Sequence, residues 1–153
     1  MKISILIIIV MAAGLYACKQ GASDNANNRE MYNAHGLKVI TSFANRKART
    51  MSVLYGNEAA RQAALSGYTV HFPGEVFTLV THRQANNKYW YGSYINGKLL
   101  RAETIRDAAG KDMPVQLRYQ LEQGQPPADS TGNVISAEKR IAYILSHPPS
   151  VFP

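Results

Sequence analysis

LKVITSFANRKARTMSVLYGNEAARQAALSG, residues 37–67, decides the fold. In its first part Val39, Thr41 and Phe43 alternate with Ile40 and Ser42, the two-residue period of a strand. Asn45-Arg46-Lys47 is polar and turn-like, and residues 50–55, TMSVLY, read as a second strand that pairs with the first as a hairpin. Gly56-Asn57 stops that strand. Asn57 is a good helix N-cap, because its side-chain oxygen can accept one of the unpaired N–H groups of the first turn. Glu58 follows where the positive end of a helix favours an acid. The helix, residues 57–66, closes at Gly67. Ala60, Ala63, Ala64 and Gly67 form a stripe of small residues, suited to close packing on a sheet.

Outward from this segment the same patterns continue. His71-Phe72-Pro73-Gly74 is a turn. Residues 75–83, EVFTLVTHR, are apolar on both faces and predict a central strand. Residues 89–95, YWYGSYI, predict another strand, Asn96-Gly97 a type I′ hairpin turn, and residues 98–105 the returning strand. In the next run Val115, Leu117, Tyr119 and Leu121 point inward, with Gln116, Arg118 and Gln120 outward. Ser136 caps a last helix whose buried stripe is Ile141, Ile144 and Leu145, and Pro148-Pro149 ends it. Strands, a helix, many strands and a helix predict an α+β fold with a mainly antiparallel sheet and two packed helices.

The start of the chain carries a different signal. Lys2 precedes an apolar run from Ile3 to Leu15 that reaches only about 20 Å as a helix, short of the ~30 Å hydrocarbon core. That length fits the apolar region of an export signal. Leu15-Tyr16-Ala17-Cys18 resembles the lipobox of bacterial lipoproteins. The resemblance implies cleavage before Cys18 and lipid on its sulfur, hence a membrane partner through that anchor. Residues 1–17 are then the signal peptide, 18–30 the lipidated cysteine and a polar tether, and 31–153 the folded domain. The expected location is the cell envelope, facing the periplasm or outer surface. Lys19, rather than an acid, after the cysteine favours the outer membrane.

The chain has 153 residues and a single cysteine, which leaves no disulfide framework, thiolate metal site or cysteine nucleophile beyond Cys18. The net charge of +7 loses one unit with Lys2. The bases are scattered and do not interleave with aromatics as in a nucleic-acid surface, so nucleic acid is not an expected partner.

Residues 37–93 resemble the cytochrome P-460 domain family. The shared order is Val39–Phe43, the turn Asn45–Lys47, Met51–Tyr55, Gly56-Asn57, Ala59–Ala64, Gly67, Pro73-Gly74, Val76–Thr81 and the aromatic run KYWYGSY. The resemblance implies a fold like the β-sheet cytochromes c-prime, a homodimer, and hydroxylamine or nitric oxide chemistry at haem iron. The family's haem proteins attach haem through CxxCH near the C-terminus, and this chain has no such motif. Leu79 stands where the P-460 enzymes carry a cross-linking lysine, and His82 where the strand usually has tryptophan. The expected cofactor is therefore none, with non-covalent haem as the alternative. The expected function is a small-ligand or redox-accessory binding module. Its alternatives are a haem-dependent oxidoreductase and a structural envelope domain that binds a partner.

Candidate residues follow from chemistry. None of His35, His71, His82 and His147 forms a metal-ligand spacing, so no metal site is expected. His147 is the candidate axial ligand in place of the attached-haem histidine, or a helix C-terminal histidine that complements the dipole. Trp90 and Tyr94 share one strand face, with Tyr89 and Tyr91 on the other. With Gly92 between them, Trp90 and Tyr94, together with His82, are the candidate ligand pocket, or else part of the core. Tyr89 and Tyr91 are cross-strand packing or a dimer surface. Arg46, Lys47 and Arg49 form a basic turn that either meets lipid headgroups or is simply solvated.

Overall fold

The computed structural model describes residues 30–109 and 113–150. The expected signal peptide, Cys18 and most of the expected tether lie outside the described residues. Seven elements follow in chain order: β1 Lys38–Asn45, β2 Thr50–Gly56, α1 Glu58–Leu65, β3 Val76–Asn86, β4 Tyr94–Asp107, β5 Leu117–Gly124 and α2 Ala137–Leu145. The strands form one antiparallel sheet in sequential order, β1 to β5. The α+β reading therefore holds. Among the described residues no helix is long and apolar enough to cross a membrane.

Both helices cover one face of the sheet. Leu54, Phe77, Leu79 and Ile105 of the sheet share a buried cluster with Ala60, Ala63 and Ala64 of α1 and Ile144 of α2. Asn57 caps α1 as its sequence requires: its Oδ1 accepts from Ala60 N at 3.0 Å and from Val76 N at 3.2 Å. One side chain thus starts the helix and ties it to β3. The alanine stripe lets α1 lie close, and Gly56 beneath it is part of that fit. A Cβ at Gly56 would stand 2.5 Å from Ile40 Cδ1 and 2.9 Å from Ala60 Cβ.

β3 is the central strand, and it is buried on both faces. Phe77 and Leu79 face the helices, while Thr78 and Val80 are buried on the other side with Ala102 and Thr104 of β4. Tyr32 comes to that second face, its ring centroid 6.1 Å from that of Tyr55. Glu30, assigned by sequence to the tether, is already docked. Its carboxylate accepts from Leu99 N at 2.7 Å, and its N–H donates to Gly97 O at 3.4 Å.

Two expectations are corrected. The alternation expected in β1 breaks at a β-bulge between Val39 and Thr41, so Ile40 and Thr41 are both buried. Asn96-Gly97 is not a turn but lies inside β4, which runs unbroken from Tyr94 to Asp107. Gly97 serves close approach instead: a Cβ there would meet Ala85 Cβ at 3.0 Å and Arg83 O at 3.1 Å. The chain reverses at residues 87–93, where Asn87 N donates to Ser93 O at 3.0 Å, Tyr89 N to Asn87 Oδ1 at 2.9 Å, and Gly92 has φ +76°. Tyr89, Trp90 and Tyr91 therefore sit on a hairpin tip, not on a strand with two faces.

At the sheet edge, Ser150 N donates to Ile40 O at 3.0 Å, and the hydroxyls of Ser150 and Thr41 are 2.8 Å apart. The segment after α2 thus covers part of β1. Replacing Ala63 by leucine should overpack the α1–sheet contact and lower stability by about 1–3 kcal/mol. Urea unfolding of the variant checks this, and an unchanged midpoint would show that the stripe is not tightly packed.

Candidate functional site

Antiparallel pairing places the β1–β2 turn and the β3–β4 tip at the same end of the sheet, since Thr50 at the start of β2 pairs with Arg83 late in β3. Arg49 O accepts from Gln84 N at 2.8 Å and joins the two hairpins. Between them lies a cleft of about 190 Å³ walled by Ala48, Arg49, Arg83, Gln84 and Leu100. A second cleft, about 290 Å³, is walled by Asn86, Asn87, Tyr91, Gly92, Ser93 and Tyr94 at the tip itself. Amide, hydroxyl and aromatic groups converge in the second cleft and two guanidinium groups in the first. That combination can bind an anion beside an apolar group.

Only part of the expected pocket comes together. Tyr94 lines the tip cleft. Trp90 is 72% exposed, and His82 is buried within the sheet between register partners Met51 and Leu99. Neither Trp90 nor His82 is among that cleft's walls. The physical reason is the displaced turn: with residues 87–93 as a loop, strand alternation no longer relates Trp90 to Tyr94. The signal for this was present in Asn86-Asn87 and Gly92-Ser93, which flank the aromatics with turn-forming residues. Leu79 lies in the core on the helix side.

His147 follows α2 and stacks on Phe43, ring centroids 3.8 Å apart. Its Nδ1 is 2.9 Å from Tyr143 O, and its own carbonyl accepts from the Tyr68 hydroxyl at 2.8 Å. These contacts fasten the end of α2 to β1 and to the turn after α1. The cleft that includes nearby Pro149, with Val39, Ile40, Arg61, Ala64 and Leu65, holds about 10 Å³. Among the described residues no group of three or more His, Cys, Asp or Glu side chains could hold a metal ion.

Sequence reasoning missed the buried carboxylates. Glu103 on β4 has no exposure. Arg140 of α2 grips it from both sides: Nε to Oε1 and Nη2 to Oε2, each 2.8 Å. The Tyr119 hydroxyl donates to Oε1 at 2.9 Å, and Arg101 Nε lies 3.3 Å from Oε2. Glu75, also without exposure, accepts from Phe72 N, and its Oε2 lies 2.9 Å from His71 Nδ1. At the same end Asp107 accepts from the N–H groups of Gly74, Ala109 and Gln116, which hold its carboxyl below the usual carboxylate range. The groups that close on Glu103, Glu75 and Asp107 belong to the fold itself. Glu103 appears in sequence as an ordinary polar residue between Ala102 and Thr104, and its partner is 37 residues away.

No protein-family model matches the chain, and no curated protein matches it.

Truncating one partner of the Glu103–Arg140 pair strands a buried charge. Arg140→Met should cost about 3–5 kcal/mol, and adding Glu103→Leu should recover much of the loss. Urea unfolding of both variants reads this, and equal stability of the single and double variants would refute it.

Two phenols give a pH signature. Burial pushes Tyr68 up to about 12, and burial together with the Glu103 charge pushes Tyr119 up to about 12, from an ordinary 10.0. A raised folded-state pKa means the fold favours the neutral phenol. That contribution is complete below pH about 10 and is lost as pH climbs through about 12. Tyr119→Phe should therefore lose less stability than the parent across that interval. A parallel decline in unfolding midpoint would count against the assignment.

Proposed function

We propose that the chain is a cell-envelope lipoprotein, anchored through Cys18 and sorted to the outer membrane, whose α+β domain follows the cytochrome P-460 plan and acts as a binding module. The observation that carries this is the lipobox-like Leu15-Tyr16-Ala17-Cys18, set twelve residues before Glu30, where the described domain is already docked. The P-460 plan is supported by local order: hairpin, Gly-Asn stop, alanine helix, glycine, Pro73-Gly74 turn and central strand follow one another in the segments that resemble the family's.

Haem is the cofactor that the resemblance brings with it. The residues present do not fit a covalently attached haem, because thioether attachment through CxxCH needs two thiols and the chain has one. Against haem on His147 stands the use of its ring by the fold, stacked on Phe43 at 3.8 Å with Nδ1 2.9 Å from Tyr143 O. The cleft beside Pro149 holds only about 10 Å³, against roughly 300 Å³ for the smallest ordinary ligand pockets, and His147 is not among its walls. We therefore favour the binding module over the haem-dependent oxidoreductase. Its binding surface is the hairpin end of the sheet, where the two larger clefts meet the exposed aromatics.

Intact mass of the native product should show loss of residues 1–17 and a gain of acyl mass. Cys18→Ala should leave an unprocessed precursor. A mature chain without lipid would overturn the anchor. Titration with hemin should show weak binding that His147→Ala and His82→Ala leave unchanged. A sharp one-to-one Soret band abolished by either substitution would restore the enzyme reading.

A further inference from the structure

The two hairpins at one end of the sheet carry an uneven set of side chains. Arg46, Lys47 and Arg49 project from the first, and Arg83, Lys88 and Lys98 from the second, all exposed. Neither 44–50 nor 83–98 contains an acid. Tyr89, Trp90, Tyr91 and Tyr94 are 77, 72, 108 and 50% exposed on the same tip. The acids Glu58, Glu75 and Asp107 lie at the opposite end, beside Gly56, Val76 and Arg106. Lys38, Arg61, Arg106 and Arg118 share that end, so its charge is mixed, whereas residues 44–50 and 83–98 carry bases alone.

Such a combination has a specific physical match. Tryptophan and tyrosine are stable at the level of lipid headgroups, where the ring is half dehydrated and the N–H or O–H still finds a polar partner. Lysine and arginine beside them are drawn to a surface of anionic lipid. A guanidinium pair flanking a cleft of about 190 Å³, as Arg49 and Arg83 do, is suited to a phosphate.

The position of the incoming chain adds an independent argument. Glu30 is bonded to Gly97 and Leu99, in the half of β4 that pairs with residues 82–86 and leads to the tip. The chain therefore joins the domain toward the aromatic and basic end. Glu30 is twelve positions from Cys18, a reach of at most about 40 Å when fully extended. A lipid on Cys18 would hold this end near the bilayer.

We propose that the hairpin end, with Trp90 and its neighbouring tyrosines inserted at headgroup level and Arg46, Lys47, Arg49 and Arg83 on lipid phosphates, docks the domain on an anionic phospholipid surface. This rests on the lipoprotein reading and names the partner of the binding surface assigned above. It makes the domain lie against the membrane with its helix-covered sheet upright, rather than hang from its anchor at any orientation.

Trp90 is the chain's only tryptophan, so its fluorescence reports the tip alone. The full chain, as purified, is reconstituted into phosphatidylglycerol-rich vesicles and into phosphatidylcholine vesicles, each with and without lipids brominated near the headgroup end of the acyl chain. The proposal expects emission at shorter wavelength and strong bromine quenching in the anionic vesicles. Both should weaken in phosphatidylcholine, at high salt, and in a variant combining Arg46→Glu, Lys47→Glu and Arg49→Glu. Intact mass of the same preparation reads the anchor separately. A chain without acyl mass whose Trp90 is still quenched in anionic vesicles refutes the anchor and supports the contact. An acylated chain whose Trp90 keeps water-like emission in every vesicle overturns the contact and leaves the anchor standing. A dimer in sedimentation that Trp90→Ser converts to monomer assigns the tip to a second copy of the chain and overturns the lipid proposal.

Discussion

A carboxylate with no exposure to water sets the terms for the second half of this domain. Glu103 stands on β4 facing the helices, and its charge is tolerable there only if it is answered from close by. Arg140 supplies the answer through two parallel bonds, Tyr119 adds a third, and Arg101 adds a second positive charge. The pair fixes where α2 lies along its axis and how it is turned, because a guanidinium fork accepts little displacement. Arg140 also rests over the Tyr143 ring, its Cζ 4.6 Å from the centroid. Once α2 is set, Ile144 reaches the core and His147 reaches Phe43. The carboxylate therefore links β4, β5, α2 and, through the His147 stack, the far edge strand β1.

The first half relies on a different principle. α1 approaches through alanines over Gly56, with no charge at the contact, and Asn57 ties its start to β3. Dispersion and burial hold it, and its position follows from how little side chain intervenes. This difference explains what sequence reading could and could not see. A stripe of small residues at helical spacing, an N-cap and a C-terminal glycine are local and additive, so α1, its boundaries and its buried face were legible. β3 was legible as the central strand because both of its faces are apolar. An ion pair spanning 37 residues has no local pattern, so the helix-fixing role of Arg140 was not readable, although the stripe Ile141, Ile144 and Leu145 on the same helix was.

The tip of the β3–β4 hairpin shows where a strong local signal misled. Asn-Gly favours a type I′ turn because both residues tolerate positive φ. At Gly97 the property in use is the missing side chain, which lets Ala85 and the Arg83 carbonyl come close. Two turn signals competed, Asn96-Gly97 and the pair of Asn86-Asn87 with Gly92-Ser93. Pairing decided between them: extending β4 back to Tyr94 gives Asn86, Ala85 and Gln84 partners in Tyr94, Ile95 and Asn96. The longer ladder satisfies backbone groups that an early turn would have left to water. The consequence for the candidate site is direct, since the aromatics that would have faced a core are carried to the end of a hairpin.

The buried carboxylates and the exposed bases of the tip are handled in opposite ways. Toward the Asp107 end, Glu75, Glu103 and Asp107 are closed by partners that belong to the fold, and their task is complete within the chain. Toward the tip, charged and aromatic side chains are left facing outward. Exposed tyrosines and a tryptophan add nothing to the core, and residues 44–50 and 83–98 carry six bases and no acid, with the Glu30 carboxylate coming in from outside them. The proposed docking gives these outward-facing groups a partner that the fold itself does not supply. A bilayer serves both kinds of group at once, because its interface dehydrates the rings and its anionic headgroups neutralise the bases. A protein partner would need matching acids and a matching apolar recess, whereas a membrane supplies both at any rotation of the domain about its tether. That tolerance suits the proposed arrangement, in which a lipid on Cys18 would hold the domain by a short stretch of chain.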